Sequence, residues 1–305
     1  RHRLLLSKRL VKKNLAIYLY TEPSGEELVT EPSVCAIFRK KVDAVCISVR
    51  VYDEYLCISN VHFNPKSSIE ASYASLVNHV GFDTPALGRL RSRSNWKSPS
   101  NSIDTDRQSN KRPSGIHDHD YVVVAGCFNS KISAKSIQLS SSEGKGLSKS
   151  QARMSKIWKY AMLNQFSPLR AYDTLSRLLS KKKAFPGFME GKINFGPTET
   201  YQPTTNILDP KTVPSWSRRI LFRSKDFGRL TCNRYSMANI TTGTSKPLSA
   251  FFTLNALMSG GQMSIQSTNS KRTRPRSSMP SRANSARSAS PRSKRFSMNS
   301  ELNSK

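Results

Sequence analysis

The sequence predicts an α/β (α+β) domain in which short strands alternate with helices. Two runs rich in strand-forming residues, 44–51 and 55–63, are separated by only three residues and therefore predict a β-hairpin. A continuous apolar run at 121–128 is typical of a strand buried on both faces. Between the hairpin and this run, apolar residues at helical spacing over 68–80 predict an amphipathic helix.

The remaining elements complete this pattern. LAIYLY at 15–20 is short, apolar and rich in strand formers, so it is the first predicted strand. Two helices are predicted at 152–165 and 167–185, and a turn-rich stretch at 186–217 follows them. The last predicted strands are RRILFRS at 218–224 and LSAFFTL at 248–254.

The composition indicates that part of the chain does not join a packed core. Only 36% of the 305 residues are hydrophobic, whereas about 45–50% is usual for a globular chain. Two segments rich in Ser and basic residues, 88–118 and 133–150, are predicted to be disordered insertions. We therefore expect a folded domain at 1–258 and a disordered, basic, Ser/Arg-rich tail at 259–305.

The formal charge of +29, from 49 Lys and Arg against 20 Asp and Glu, predicts attraction to polyanions. Nucleic acid, an anionic membrane surface and inositol phosphates all fit this charge. The alternative is that the charge sits in disordered segments and serves only solubility. Arg-x-x-Ser spacings recur between Arg274 and Ser290, so the tail is also a predicted substrate of basophilic kinases.

The five cysteines are odd in number and form no C-x-x-C pair. This pattern favours reduced thiols in a cytosolic or nuclear protein, and it predicts neither a disulfide framework nor a metal site. No apolar run reaches the length of a membrane span, and no signal peptide is evident. The first residue is Arg rather than Met, so we expect that further residues precede it.

Five motifs occur in an order that is not generic. They are SNVHF at 59–63, VVVAGCFNSKI at 122–132, FPGFMEGKINFGPTETY at 185–201, VPSWSRRIL at 213–221 and TTGTSKPLSAFF at 241–252. Together they resemble the inositol polyphosphate 5-phosphatase family, within the endonuclease/exonuclease/phosphatase superfamily. The resemblance runs from about residue 9 to 254, interrupted by the two insertions.

The resemblance implies both a fold and a reaction. The fold is a DNase I-like four-layer sandwich of two packed, mostly antiparallel sheets flanked by helices. The reaction is Mg²⁺-dependent removal of the 5-phosphate from inositol lipids or soluble inositol phosphates. Such a reaction needs a dication, a carboxylate that orients water, and cationic groups that hold the substrate.

Some positions keep the residue that the resemblance implies. His62 and Asn129 match a catalytic His and Asn of the family, and Asn60 matches the Asn before that His. Positive charge is retained at three expected substrate-binding positions, Lys131, Arg219 and Lys246.

Other positions carry residues that the reaction would not use. Cys127 and Arg218 each stand where the family has an Asp, and Thr244 and Ser245 stand in place of its Asp-His pair. Thr200, the last expected substrate-binding position, replaces a Lys. The family's remaining metal-binding motifs would lie before residue 1. We therefore expect that Mg²⁺, the cofactor of the family, is not bound here.

Three functions remain open at this point. The first is an active, Mg²⁺-dependent phosphoinositide 5-phosphatase, and the second is a weakly active or inactive pseudo-phosphatase that binds phosphorylated inositol head groups. The third is a basic nucleic-acid or polyanion-binding protein on the same fold, which ranks last because the tail has a single aromatic residue, Phe296, for base stacking. The second interpretation places the protein in the cytoplasm, peripheral to membranes.

Overall fold

A computed structural model describes residues 3–10, 15–21, 29–82, 112–140, 146–203 and 205–256. Within these ranges the chain forms ten β-strands and four α-helices. The tail at 259–305 and most of the insertion predicted at 88–118 lie outside the described residues. None of the described helices has the length and apolar character needed to span a membrane.

The main sheet has six strands in the order β3-β4-β5-β6-β8-β7. The pairs are antiparallel except β5–β6, which is parallel. The predicted hairpin is confirmed as β4 and β5. The six strands are β3 (Val29–Phe38), β4 (Val42–Val51), β5 (Glu54–Phe63), β6 (Tyr121–Cys127), β7 (Met189–Glu190) and β8 (Arg218–Ser224).

Two antiparallel ribbons cover one face of the main sheet. The first consists of β1 (Arg3–Leu10) and β2 (Leu15–Thr21), and its Leu15 and Ile17 pack on Val45, Ile47 and Val49 of β4. The second consists of β9 (Leu230–Met237) and β10 (Leu248–Leu254). Its core residues Leu230 and Phe252 pack against Tyr121 and Phe222 of the main sheet.

The opposite face of the main sheet packs against helices. Alternate residues of β4 to β8 on this face, among them Ala44, Val61, Val124 and Leu221, join the largest apolar cluster. Helices α1 (Ile69–His79) and α4 (Thr174–Ser180) complete this cluster. A strand buried on both faces requires such continuous apolar runs. The predicted α/β (α+β) sandwich is therefore confirmed.

The predicted helix at 167–185 is wrong as a single element. It consists of α3 (Phe166–Arg170) and α4, separated by a turn. Asp173 ends the turn and caps α4, because its carboxylate accepts a hydrogen bond from the Ser176 N–H at 2.8 Å. The preceding predicted helix, 152–165, is α2 (Lys149–Met162) and begins three residues earlier, at a capping box formed by Ser148 and Gln151.

Four strands were not predicted: β1, β3, β7 and β9. β3 lies at the edge of the main sheet and contains Pro32, which sequence patterns treat as a strand breaker. Its pairing with β4 shifts register between Thr30 and Ser33, and Glu31 there has a φ of 50°. A bulge at a sheet edge accommodates the proline, so the strand continues past it.

Both predicted insertions extend too far into the folded domain. Residues 112–118 of the first end in a helical turn at Ile116–Asp118, and the Ile116 side chain is 1% exposed within the core. Residues 133–140 of the second include a similar turn at Ala134–Ser136, after which Ile137 is buried. Isolated apolar residues within polar segments anchor these ends, and composition alone does not reveal them.

Gly126 permits the close approach of β6 to β5. Its φ is +138°, and a Cβ at this position would lie 2.0 Å from the Val61 carbonyl oxygen. Both the backbone conformation and the lack of space therefore require glycine here.

We expect Gly126→Ala to destabilise the fold by more than about 2 kcal/mol, since strain and a backbone clash add together. Urea denaturation of the wild-type protein and of the variant measures this loss as a difference in the free energy of unfolding. Gly81→Ala is the matched control, because a Cβ at Gly81 meets nothing within 4 Å. Equal losses at both positions would contradict the proposed steric requirement.

His119 is a fully buried ring that links β4 to the turn at Ile116–Asp118. Its Nδ1–H donates to the Gly115 carbonyl at 2.9 Å, so Nε2 is left to accept from the Ser48 hydroxyl at 2.8 Å. This arrangement uses the neutral imidazole. Burial lowers the pKa of His119 from 6.5 to about 4.

A lowered pKa in the folded state means that the unfolded chain takes up the proton first. We therefore expect a stabilising contribution that is complete above pH 6.5 and is lost as the pH falls towards about 4. The loss should be of the order of 3 kcal/mol, and His119→Gln should remove this pH dependence. Denaturation at pH 7.5 and at pH 4.5 checks it, and an unchanged pH slope in the variant would contradict it.

Candidate functional site

One row of side chains crosses the main sheet near the ends of β5 and β6. Register pairs Phe38 with Asp43, Asp43 with His62, His62 with Cys127, and Cys127 with Arg218. Directly paired residues point to the same face of a sheet, so these five form a cross-strand row. Three of them, His62, Cys127 and Arg218, are residues that the sequence predicted for the site.

The cross-strand row lies on the sheet face that the two ribbons cover. Asp43 is two residues before Val45, which packs beneath the first ribbon, and alternation places both on one face. His62 and Arg218 are exposed, whereas Cys127 and Asp43 are buried. The row is therefore open to solvent at the imidazole and at the guanidinium.

A cavity of about 330 Å³ lies at the His62 end of the row. Arg39 and Lys40, from the turn between β3 and β4, line it together with Asp43 and Asn64. Sequence analysis did not select Arg39 or Lys40. Three consecutive cations, Arg39 to Lys41, are visible in the sequence. They can be assigned to a turn beside His62 only once β3 is recognised as a strand.

Cys127 is a protonated thiol at neutral pH. Burial raises its pKa, and the negative charge of Glu199 raises it further. The Asn129 N–H and the Arg218 guanidinium act in the opposite direction and do not outweigh these effects. A thiol in this state can neither accept a proton from water nor act as a metal ligand.

A short loop ties the start of β8 to the Thr244–Ser245 turn. Thr198 Oγ1 accepts a hydrogen bond from the Arg218 N–H at 3.0 Å, and its carbonyl accepts from the Lys246 N–H at 2.8 Å. The next residue, Glu199, forms bridges to both Ser215 and Ser245. Ser245 is thus joined through Glu199 and Thr198 to the strand that carries Arg218.

Arg219 is not brought together with the cross-strand row. It points to the opposite face of β8, where it is 1% exposed. Its guanidinium donates to the Asp173 carboxylate at 2.7 Å and to both oxygens of Glu190. Burial lowers the pKa of Arg219, but the two carboxylates outweigh this and raise it. The positive charge of Arg219 is therefore compensated inside the protein by these two carboxylates.

Asn60 and Lys246 also make internal contacts. Asn60 donates to the Ala16 carbonyl of β2 at 3.0 Å and so fixes the first ribbon. The Lys246 ammonium is buried 4.7 Å from the centre of the Tyr201 ring and donates to Asn239 at 3.2 Å. Burial lowers the pKa of Lys246.

The remaining predicted residues are Asn129, Lys131, Thr200 and Thr244. Asn129 has a φ of 50°, and its side-chain amide donates to the Phe63 carbonyl. Lys131 is exposed, and its carbonyl accepts from the Thr174 hydroxyl. Thr244 is exposed, and Thr200 has a φ of 78° in the loop.

The side chains at positions 127 and 218 do not fit Mg²⁺. This ion prefers carboxylate and other oxygen ligands in an octahedral arrangement. Cys127 offers a neutral thiol, and Arg218 offers a cation. In the part of the chain that the structure describes, no group of three or more His, Cys, Asp and Glu side chains is placed to hold a metal ion.

The chain matches the endonuclease/exonuclease/phosphatase family 2 over residues 35–251. This match covers more than half of the sequence, and the chain belongs to that family. The predicted resemblance to inositol polyphosphate 5-phosphatases is confirmed at this level.

Individual relatives support the same assignment. Inositol-1,4,5-trisphosphate 5-phosphatase 1 of Schizosaccharomyces pombe is 29% identical over 148 residues, which are 48% of this chain but 12% of that protein. A similar fold occurs in the inositol polyphosphate 5-phosphatase domain of SpSynaptojanin, which was solved with inositol (1,4)-bisphosphate and a calcium ion. The TM-score is 0.58 at 21% identity, and the match covers 83% of this chain and 64% of that one. The chain thus spans a small part of the enzyme that it matches in sequence.

The same fold also occurs in a different kind of protein. The ferrous NO complex of Cimex nitrophorin has a TM-score of 0.54 at 16% identity, covering 82% of this chain and 74% of that one. At such identities the likeness establishes the fold alone. What this chain does therefore depends on the side chains that its own sandwich presents.

The neighbouring arginines 218 and 219 should differ sharply in their effect on stability. We expect Arg219→Gln to cost about 3–5 kcal/mol, because it leaves the carboxylates of Asp173 and Glu190 buried without their partner. Arg218→Gln should cost less than about 1 kcal/mol, because the Arg218 side chain is exposed. Urea denaturation of both variants tests this, and comparable losses would contradict the assignment of the two faces.

Proposed function

We propose that this chain binds phosphorylated inositol head groups at the cross-strand row and hydrolyses them weakly or not at all. The observation that carries this proposal is the row itself, in which exposed His62 and Arg218 flank the buried, protonated thiol of Cys127. The row thus combines anion-binding groups with a neutral group at the position where a hydrolase of this family would need a carboxylate.

The positive groups suit a ligand with more than one phosphate. His62 and Arg218 are separated by two inter-strand spacings, about 10 Å along the sheet. Arg39 and Lys40 extend the positive surface beyond His62 around the cavity of about 330 Å³. A guanidinium binds a phosphate through paired hydrogen bonds, and lysine adds a point charge.

Hydrolysis is disfavoured by the same residues. Attack of water on phosphorus needs a dication and a carboxylate near the water. The guanidinium of Arg218 repels a dication, and Cys127 cannot take a proton. Asp43 belongs to the row, but it lies opposite His62 in the strand register and is therefore two inter-strand spacings from Cys127.

The proposal extends to the setting of the protein. The basic tail at 259–305 would add attraction to an anionic membrane surface, about 1 kcal/mol for each basic residue near the lipid. The protein would then act in the cytoplasm at membranes, with 1–258 as the binding domain. Phosphorylation of Arg-x-x-Ser sites in the tail would weaken that attraction.

Polyanion or nucleic-acid binding is the second candidate, and the charge of +29 favours it. Such binding would be strongly salt-dependent and indifferent to the inositol ring. It therefore differs from the first proposal in selectivity, which an experiment can measure.

We expect the full chain to sediment with vesicles that contain phosphatidylinositol bisphosphate, in preference to phosphatidylserine vesicles of equal surface charge. Arg218→Gln and His62→Gln should each weaken the preferred binding about tenfold, since the first removes the guanidinium of the row and the second removes its imidazole. Arg234→Gln, an exposed arginine of β9, should leave it unchanged. Equal binding to both vesicles, lost with salt, would favour the second candidate.

The same preparation tests hydrolysis. We expect phosphate release from phosphatidylinositol bisphosphate in Mg²⁺ to stay at the level of a heat-denatured sample. Sustained turnover that Arg218→Gln abolishes would show that the row is an active site, and it would overturn the hydrolytic part of the proposal.

A further inference from the structure

A second cavity, of about 340 Å³, lies away from the cross-strand row. Its walls come from α3 and from the loop at 192–195 that follows β7. Among the described residues that line it there is no Asp or Glu. The lining residues that matter here are the cations Arg170 and Lys192, the polar Ser167 and Asn194, and the aromatic Phe166 and Phe195.

Arg170 is held in place at the wall of this cavity. Its Nη1 donates to the Ile193 carbonyl at 2.6 Å, and the Ile193 side chain is buried in the adjoining core. Its Nε is also buried but has no hydrogen-bond partner among the described residues. The Nε–H is therefore shielded from solvent, and the bond from Nη1 fixes the guanidinium at the wall of the cavity.

Lys192 and Asn194 flank the same carbonyl from the exposed side of the loop. The cavity therefore brings a fixed guanidinium together with a mobile ammonium and neutral donors. Such a set matches an oxyanion, because a guanidinium edge and an ammonium together can bind several phosphate oxygens.

The aromatic side chains add an apolar wall that is held rigidly. Phe166 packs edge-on against Trp216 with ring centres 6.1 Å apart, and Phe195 packs likewise on Tyr235 at 5.1 Å. The Trp216 indole N–H donates to the Phe195 carbonyl at 3.2 Å. Gly196 lets the loop lie close to Phe166, since a Cβ there would be 3.0 Å from that ring.

We propose that this cavity is a binding site for a phosphomonoester with an aromatic or other flat apolar group. The phosphate would accept hydrogen bonds from the Arg170 guanidinium and from Lys192, and the apolar group would lie against Phe166 and Phe195. The site shares no lining residue with the cross-strand row, so it does not depend on the function proposed for the row.

Phenyl phosphate is the probe for this site. In the isotope-labelled full chain, we expect its addition to shift the NMR signal of the Arg170 Nε–H group in a saturable way. Arg170→Lys keeps the charge but removes the planar guanidinium, and it should weaken binding at least about tenfold in calorimetry. Lys192→Gln, at an exposed position, should weaken binding about fivefold without affecting the fold.

Two controls separate this site from others. Arg153→Lys changes an arginine of α2 whose guanidinium also donates to a backbone carbonyl but does not line this cavity, and it should leave affinity unchanged. Arg218→Gln should leave the shift of the Arg170 signal intact even if it removes binding at the row. An Arg170 signal that does not move, or an affinity that neither Arg170→Lys nor Lys192→Gln changes, would overturn the proposal.

Discussion

The hydrogen-bonded register of β5, β6 and β8 is the constraint on which the rest of this structure depends. Gly126 allows β6 to approach the Val61 carbonyl, and this contact sets which residue of β6 lies beside His62. The partner is Cys127, and the pairing of Cys127 with Arg218 follows from the antiparallel ladder to β8. A shift of one residue would exchange the two faces and place Arg219 in the row.

The two adjacent arginines, 218 and 219, show the effect of the alternation of side chains between the two faces of β8. Arg219 enters the helix-covered face, where two carboxylates compensate its charge and tie α4 and β7 to β8. Arg218 points to the ribbon-covered face and keeps its charge available to solvent. One arginine thus stabilises the sandwich, and its neighbour supplies the positive charge of the candidate site. Chemical identity alone does not distinguish them.

The sandwich itself is compatible with more than one chemistry. Its relatives include a phosphatase domain solved with an inositol bisphosphate and a nitrophorin solved as a ferrous NO complex. In this chain three neighbouring members of the cross-strand row are the imidazole of His62, the thiol of Cys127 and the guanidinium of Arg218. Burial and the charge of Glu199 raise the pKa of the thiol, which supports the proposal that the row binds anions and does not activate water.

The sequence by itself determined the family and the strands with continuous apolar runs, and it predicts an exchange of acidic residues at positions 127 and 218, because these features follow from residue type and spacing. It did not reveal β3, whose Pro32 is accommodated by an edge bulge, or the buried anchors Ile116 and Ile137. Only the tertiary structure decided that Arg219 and Lys246 are internal and that Arg39 and Lys40 border His62. The reason is that a charge becomes structural or available according to which face of the sheet it occupies, and strand register sets that face across residues distant in sequence.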